Sequence, residues 1–192
     1  MINRLSILAL VAAAVSAAPA SAQYASDVTE DLRVETRDFA QCIAAKDPVK
    51  AQKLLGLTIG SPEYRRAMTK LVKWSGCVED PDMATFEPLL LSGALAELAI
   101  KDGVPAGLGS LVASANPADP ALAMADCAVR ADKAKSEALL ATKWLSDDER
   151  DAAFDLSATL KPCAAKDSIR ITAAQLRGLV ALATLRTYGN TP

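Results

Sequence analysis

The chain is 192 residues long, with 21 Lys+Arg against 23 Asp+Glu and no histidine; hydrophobic residues make up 51% of it and aromatic residues 4%. So apolar and so evenly charged a composition excludes a disordered chain and a broad positive field for nucleic acid. Without histidine, the commonest general base and the commonest metal ligand are both missing.

Met1 to Arg4 is a short leader segment with one positive charge, Leu5 to Ala18 is an apolar run broken only by Ser6 and Ser16, and Ala20-Ser21-Ala22 is a small-x-small cleavage site before Gln23. This three-part pattern predicts a signal peptide over residues 1–22 and a periplasmic or secreted protein. The run is shorter than the roughly 20 residues a membrane span needs, and no cysteine stands at the cleavage point to carry a lipid. Cleavage leaves 20 Lys+Arg against 23 Asp+Glu, a net charge of −3. After it, Leu89 to Ile100 is the best candidate for a span, and its length and Glu97 argue against one, so no membrane span is expected.

Helices are expected from Val28 to Lys46, from Pro48 to Leu55, from Ser61-Pro62-Glu63 to near Cys77, and from Pro88 to Lys101. Asp47-Pro48 and Ser61-Pro62 each supply a cap followed by a proline that suits the first helical turn. Asp102 to Asp119, with Gly103, Pro105, Gly107, Gly109 and Pro117, is expected to be loop for most of its length. Helices then follow from Pro120 to Arg130, from Lys133 to Thr142, from the capping-box spacing Ser146-Asp147-Asp148-Glu149 to near Cys163, and from Ala173 to Thr187. Ala84-Thr85-Phe86 and Ile169-Arg170-Ile171 alternate and suggest short extended pieces.

The cysteines reveal an order in this list. Cys42 and Cys77 are 35 positions apart, Cys127 and Cys163 are 36 apart, and a shift of 85 aligns the halves, except around the second cysteine, where one residue is gained and Cys77 meets Cys163 at a shift of 86. Asp47 meets Asp132, Leu54-Leu55 meets Leu139-Leu140, Ser61 meets Ser146, Arg65 meets Arg150, Gly93 meets Gly178 and Ala96 meets Ala181. The pattern reads as a tandem repeat, residues 38–103 and 123–189. Four cysteines allow three pairings; if each half is a unit, its own two cysteines should face each other, giving disulfides Cys42–Cys77 and Cys127–Cys163 in an oxidising compartment. Zinc and redox sites would want close Cys-x-x-Cys pairs, and there are none. The expected fold is therefore all-α: two tandem similar units of three to four helices, each stapled by one disulfide. The boundaries are 1–22 signal peptide, 23–103 first unit, 104–122 linker and 123–192 second unit. Gly93-x-x-Ala96 and Gly178-x-x-Ala181 place small residues on one face of equivalent helices. Either these helices meet across a pseudo-two-fold axis to make one domain, or each small spot faces a bulky neighbour in its own repeat.

Chemistry is sparse. The acidic cluster Asp147, Asp148, Glu149, Asp151 and Asp155 reads as a helix start complementing the macrodipole rather than a cation site, since it contains Arg150 and no calcium loop. Arg65, Arg66, Lys70 and Lys73 form a basic face that the second repeat lacks, read as a solvated face or as a partner-binding feature of one half. Trp74 and Trp144 align with the aliphatic Leu160 and Ile59, and both read as core. No nucleophile elbow, Ser-x-x-Lys box or phosphate loop occurs, and Ser110 has no group nearby to activate it. No catalytic residue, metal site or cofactor is expected.

The repeat, Phe39-Ala40-Gln41-Cys42 through Gly93 and Ala96 and again Met124-Ala125-Asp126-Cys127 through Gly178 and Ala181, resembles uncharacterised exported proteins of Gram-negative bacteria with a duplicated two-cysteine helical unit. The resemblance implies a periplasmic location and hands over no activity. The sequence thus points to a non-enzymatic interaction or structural module with a protein partner; the alternative is a carrier of a small apolar ligand between the units.

Overall fold

The computed structural model describes residues 29–82, 84–117, 119–164 and 171–189. The signal segment expected at 1–22, and Ile169-Arg170 of the second extended piece, lie outside the described residues. Among the described residues the fold is all-helical, without strands: α1 (Glu30–Lys46), α2 (Pro48–Leu55), α3 (Pro62–Trp74), α4 (Pro88–Lys101), α5 (Leu108–Ala115), α6 (Pro120–Ala131), α7 (Lys133–Ala141), α8 (Asp147–Leu160) and α9 (Ala173–Tyr188), with a 3-10 turn at Lys161–Cys163.

Local chemistry sets most helix starts. Asp47 and Asp132 accept from the backbone N–H of Lys50 and Lys135, both as N-caps with nearly the same backbone angles (φ −147°, ψ 70° and φ −146°, ψ 80°). Ser61 and Ser146 do the same for Tyr64 and Glu149. Each such cap satisfies an amide the helix leaves open, worth about 1 kcal/mol. Ala84-Thr85-Phe86, expected as a short extended piece, is irregular chain leading into the Glu87 cap of α4.

The segment expected to be loop for most of its length also contains an eight-residue helix, α5, which has no side-chain cap and starts behind Gly107 at φ +79°. It exists because Leu108 and Val112 are buried against α9, and because its end is met from elsewhere: Thr58 donates to the Ala115 carbonyl at 2.6 Å and Arg186 to that of Asn116 at 3.2 Å. Trp74 is not core; it is 83% exposed.

Helices α4 and α9 are buried on nearly every side, as apolar all-round helices must be. They pack so closely that a Cβ on Gly93 would fall 2.3 Å from the Gly178 Cα, which is why only glycine serves there. Around them the buried residues of both halves form one contiguous core, from Phe39 on α1 to Leu185 on α9. Phe39 stacks on Phe86 with ring centroids 4.3 Å apart. Tyr64, fully buried, joins α3 to α4 through its hydroxyl, 2.8 Å from Ser92 Oγ and donating to the Pro88 carbonyl at 3.0 Å; burial pushes the phenol's pKa well up. Cys42 is bonded to Cys77 and Cys127 to Cys163, each pair with Cα atoms 5.7 Å apart. No described helix is long and apolar enough to cross a membrane.

Candidate functional site

The densest polar feature is buried. Arg177 on α9, 1% exposed, forks onto both oxygens of Glu97 on α4 at 2.7 and 2.8 Å. Its remaining N–H groups donate to the carbonyls of Leu139 and Leu140 at 3.0 Å each and of Thr142 at 3.1 Å, and to Thr142 Oγ1 at 2.8 Å. The guanidinium therefore closes the C-terminus of α7, where the helix dipole favours a cation. Glu97 also accepts from Lys101 at 2.7 Å and from the Trp144 indole at 3.1 Å. Burial opposes its ionisation, but the bonds from Arg177, Lys101 and Trp144 outweigh that and hold its pKa below the usual value.

Glu149 extends the chain of charges. It is 2% exposed, accepts from Arg33 on α1 at 2.7 and 2.8 Å and lies 3.6 Å from Arg177. Its second role is at the turn before α8: it accepts from the Leu145 amide at 2.7 Å, holding that residue at φ +64°, a conformation that costs a side-chain-bearing residue about 1 kcal/mol or more. So Glu149 is not one more dipole-complementing carboxylate, as its place in the acidic cluster suggested; it bridges α1, α8 and α9. Trp144 lies half-buried beneath both arginines, with its ring centroid 5.8 and 5.3 Å from their guanidinium carbons. This network ties the first half of the chain to the second. The cleft above it, about 200 Å³, has Arg37 and Lys101 in its wall, and both are already paired, with Asp38 and Glu97.

The open site lies elsewhere, between α2 and α3. A groove of about 850 Å³ has an apolar floor that includes Leu54, Leu57 and Leu71. Lys50, Lys53, Arg66 and Lys70 stand in its walls. Lys50 is paired with Asp47 and Arg66 with Glu63; Lys53 and Lys70 have no carboxylate partner among the described residues. Trp74 lines the groove at the end of α3 while remaining largely exposed to solvent. Positions 63, 66, 70 and 74 recur at three- and four-residue steps, so one stripe of α3 turns toward the groove while Tyr64, Leu71 and Val72 turn into the core. The basic face read from the sequence is thus split. Arg66 and Lys70 enter the groove, Lys73 pairs with Asp82 at 3.4 Å, and Arg65 is exposed.

Of the acidic cluster, Asp147, Asp148, Asp151 and Asp155 are exposed on α8, and Asp147 pairs with Arg150 at 2.8 Å. Among the described residues no group of three or more His, Cys, Asp or Glu side chains is placed to hold a metal ion. Neither a protein-family model, nor a curated protein, nor a solved structure matches this chain.

Proposed function

We propose that the protein is an exported, non-enzymatic interaction module of the periplasm, and that its docking surface is the groove between α2 and α3. The observation that carries this is Trp74, 83% exposed at the edge of an apolar-floored groove walled by lysines and arginine. An exposed aromatic beside an apolar groove suits an interface, since tryptophan and arginine are among the residues that most often anchor one. The alternative, a carrier with an apolar ligand between the units, finds no room where α4 meets α9, since Gly93 and Gly178 are in backbone contact there.

The module is built from two related units about a pseudo-two-fold axis through the α4–α9 contact. Supporting this, the two halves share more than cysteine spacing. At the shift of 85, Gly60 and Leu145 meet, and both hold left-handed φ, +73° and +64°. Tyr64 and Ser92 meet Glu149 and Arg177, and each buried pair joins the third helix of its half to the last, by 2.8 and 3.6 Å contacts.

The docking reading is tested by placing a photo-crosslinking amino acid at position 74 of the full-length protein in the producing cell, with exposed Glu137 as the control position. A discrete adduct from position 74, lost on Lys53→Glu/Lys70→Glu, supports the groove; the same adducts from both positions, or none, overturn it. Export is tested separately by N-terminal sequencing of the protein recovered from the periplasm, which should begin at Gln23.

A further inference from the structure

The groove's chemistry asks for an occupant with an aromatic or aliphatic tip flanked by carboxylates. Such a surface is present on the same chain. On α8, Phe154 is 76% exposed, with Asp151 one turn before it, Asp155 beside it and Asp148 further along the exposed side of the helix. Asp148, Asp151 and Asp155 have no cationic partner among the described residues. The one cation within this face, Arg150, is held by Asp147.

We infer that α8 of one copy docks in the α2–α3 groove of a second copy, with Phe154 on the apolar floor beside Trp74 and with Asp151 and Asp155 facing Lys53 and Lys70. This deepens the proposed docking function and rests on it. Charge complementarity selects the occupant. The unmatched cations line the groove, the unmatched carboxylates surround an exposed phenylalanine, and opposite fields of this kind steer association and fix register. The two surfaces are borne by different packing neighbourhoods, α3 resting on α2 and α8 on α6, α7 and α9, so each is presented outward. A helix of 14 residues is roughly 21 Å long and offers several side chains to the groove. Because the two patches differ, a single contact is heterologous: the pair keeps one groove and one α8 face free, and association continues head to tail unless a ring closes.

The test uses purified mature protein in sedimentation velocity over a concentration series, with helicity checked by circular dichroism. Wild type should show mass above the monomer that grows with concentration, with affinity falling about tenfold as salt rises from about 0.01 M to 0.15 M and the screening length shrinks from roughly 30 to 8 Å. Lys53→Glu/Lys70→Glu and Asp151→Lys/Asp155→Lys should each be monomeric alone. Mixed in equal amounts they should associate, because the intact acidic face of the first meets the intact groove of the second. Phe154→Ala should weaken wild-type association at least tenfold at every salt concentration. A monomeric wild type, charge-reversed variants that associate as wild type does, or a mixture that stays monomeric would overturn self-docking. If wild type is monomeric while position 74 still gives its discrete adduct to another protein, self-docking fails and the groove reading stands; loss of that adduct as well removes the groove reading itself.

Discussion

Replacing Arg177 by Met keeps the length and much of the volume of the side chain and removes the charge. The five guanidinium N–H groups serve six acceptor contacts, one N–H of Nη2 being shared, two to Glu97 and four to the end of α7. Breaking a buried pair from one side costs about 3–5 kcal/mol, and Glu97 keeps only Lys101 and Trp144 as donors. For a chain of this size that is a fall in Tm of roughly 10 °C. The companion variant decides what Arg177 does. If it served only to neutralise Glu97, replacing both by apolar residues would be nearly neutral or stabilising. The carbonyls of Leu140 and Thr142 would still lose the guanidinium in that variant, at about 1–3 kcal/mol for each group left buried and unpaired, whereas that of Leu139 keeps the Thr142 hydroxyl at 2.7 Å. Arg177→Met/Glu97→Leu should therefore remain at least ~2 kcal/mol less stable than wild type. Arg177→Lys should rescue little, since an ammonium cannot fork onto a carboxylate and reach three carbonyls at once. Urea denaturation followed by far-UV circular dichroism, with disulfides intact, measures each value. A double variant as stable as wild type would refute the capping role, and a single Arg177→Met cost under about 1 kcal/mol would refute the whole account of the network.

Three further outcomes are expected. Gly93→Ala should destabilise by about 1–3 kcal/mol, because its Cβ would meet the Gly178 backbone at 2.3 Å, whereas Gly178→Ala, whose nearest atom is the Leu89 carbonyl oxygen at 3.3 Å, should cost markedly less; equal effects in urea melts would contradict the packing described. Replacing either cysteine pair by serine should cost roughly 4 kcal/mol, and the two costs should agree closely because the loops closed are nearly equal; a pair whose loss leaves the denaturation midpoint unchanged would count against its bond. For pH, the depressed pKa of Glu97 gives stability that is complete above its unfolded value of 4.5 and is lost as pH falls through the folded value, while Glu87 and Asp126, raised by burial, act in the opposite sense. Comparing wild type with Glu97→Gln isolates the first term: between about pH 6 and 3 the wild type should lose more stability than the variant, and parallel losses would dismiss Glu97 as a contributor.

Sequence reading succeeded where structure is decided within one turn of chain. Asp47-Pro48, Ser61-Pro62 and Ser146 cap their own helices, so α2, α3 and α8 were legible from a few residues each. Helix α5 was not, because nothing local favours it. It begins at a left-handed glycine without a capping side chain, and its burial and the donors to its last carbonyls come from α9 and from Thr58 and Arg186. Trp74 was misread for a similar reason. Its alignment with Leu160, which is buried, suggested a core position, yet along α3 it continues the stripe of Glu63, Arg66 and Lys70 rather than that of Tyr64 and Leu71. The groove was half visible as a basic face; what hid it was the assumption that an aromatic belongs inside. The ionic network did leave a signal. Glu97 and Arg177 each sit among apolar neighbours inside their helices, and a buried charge requires a partner, but which charge meets which is settled only when α4 and α9 are packed together.

The proposed duplication makes the differences between halves more instructive than the likenesses. At equivalent positions the first half has a neutral clasp, Tyr64 with Ser92, and the second an ionic one, Glu149 with Arg177. A neutral clasp satisfies itself and stays within its own half. An ionic clasp cannot: the buried guanidinium has more donors than one carboxylate can use, and it draws in Glu97 from the first half as well as the end of α7, while Glu149 draws in Arg33 from α1. On the proposed duplication, the exchange of one clasp for the other at this slot replaces a contact within a half by bonds between halves. The outer faces of the same two helices differ in sign, with Arg66 and Lys70 on α3 against Asp151 and Asp155 on α8. Inside the molecule opposite charges bind one half to the other; the exposed faces carry the same kind of complementarity, and two copies can satisfy it by docking head to tail.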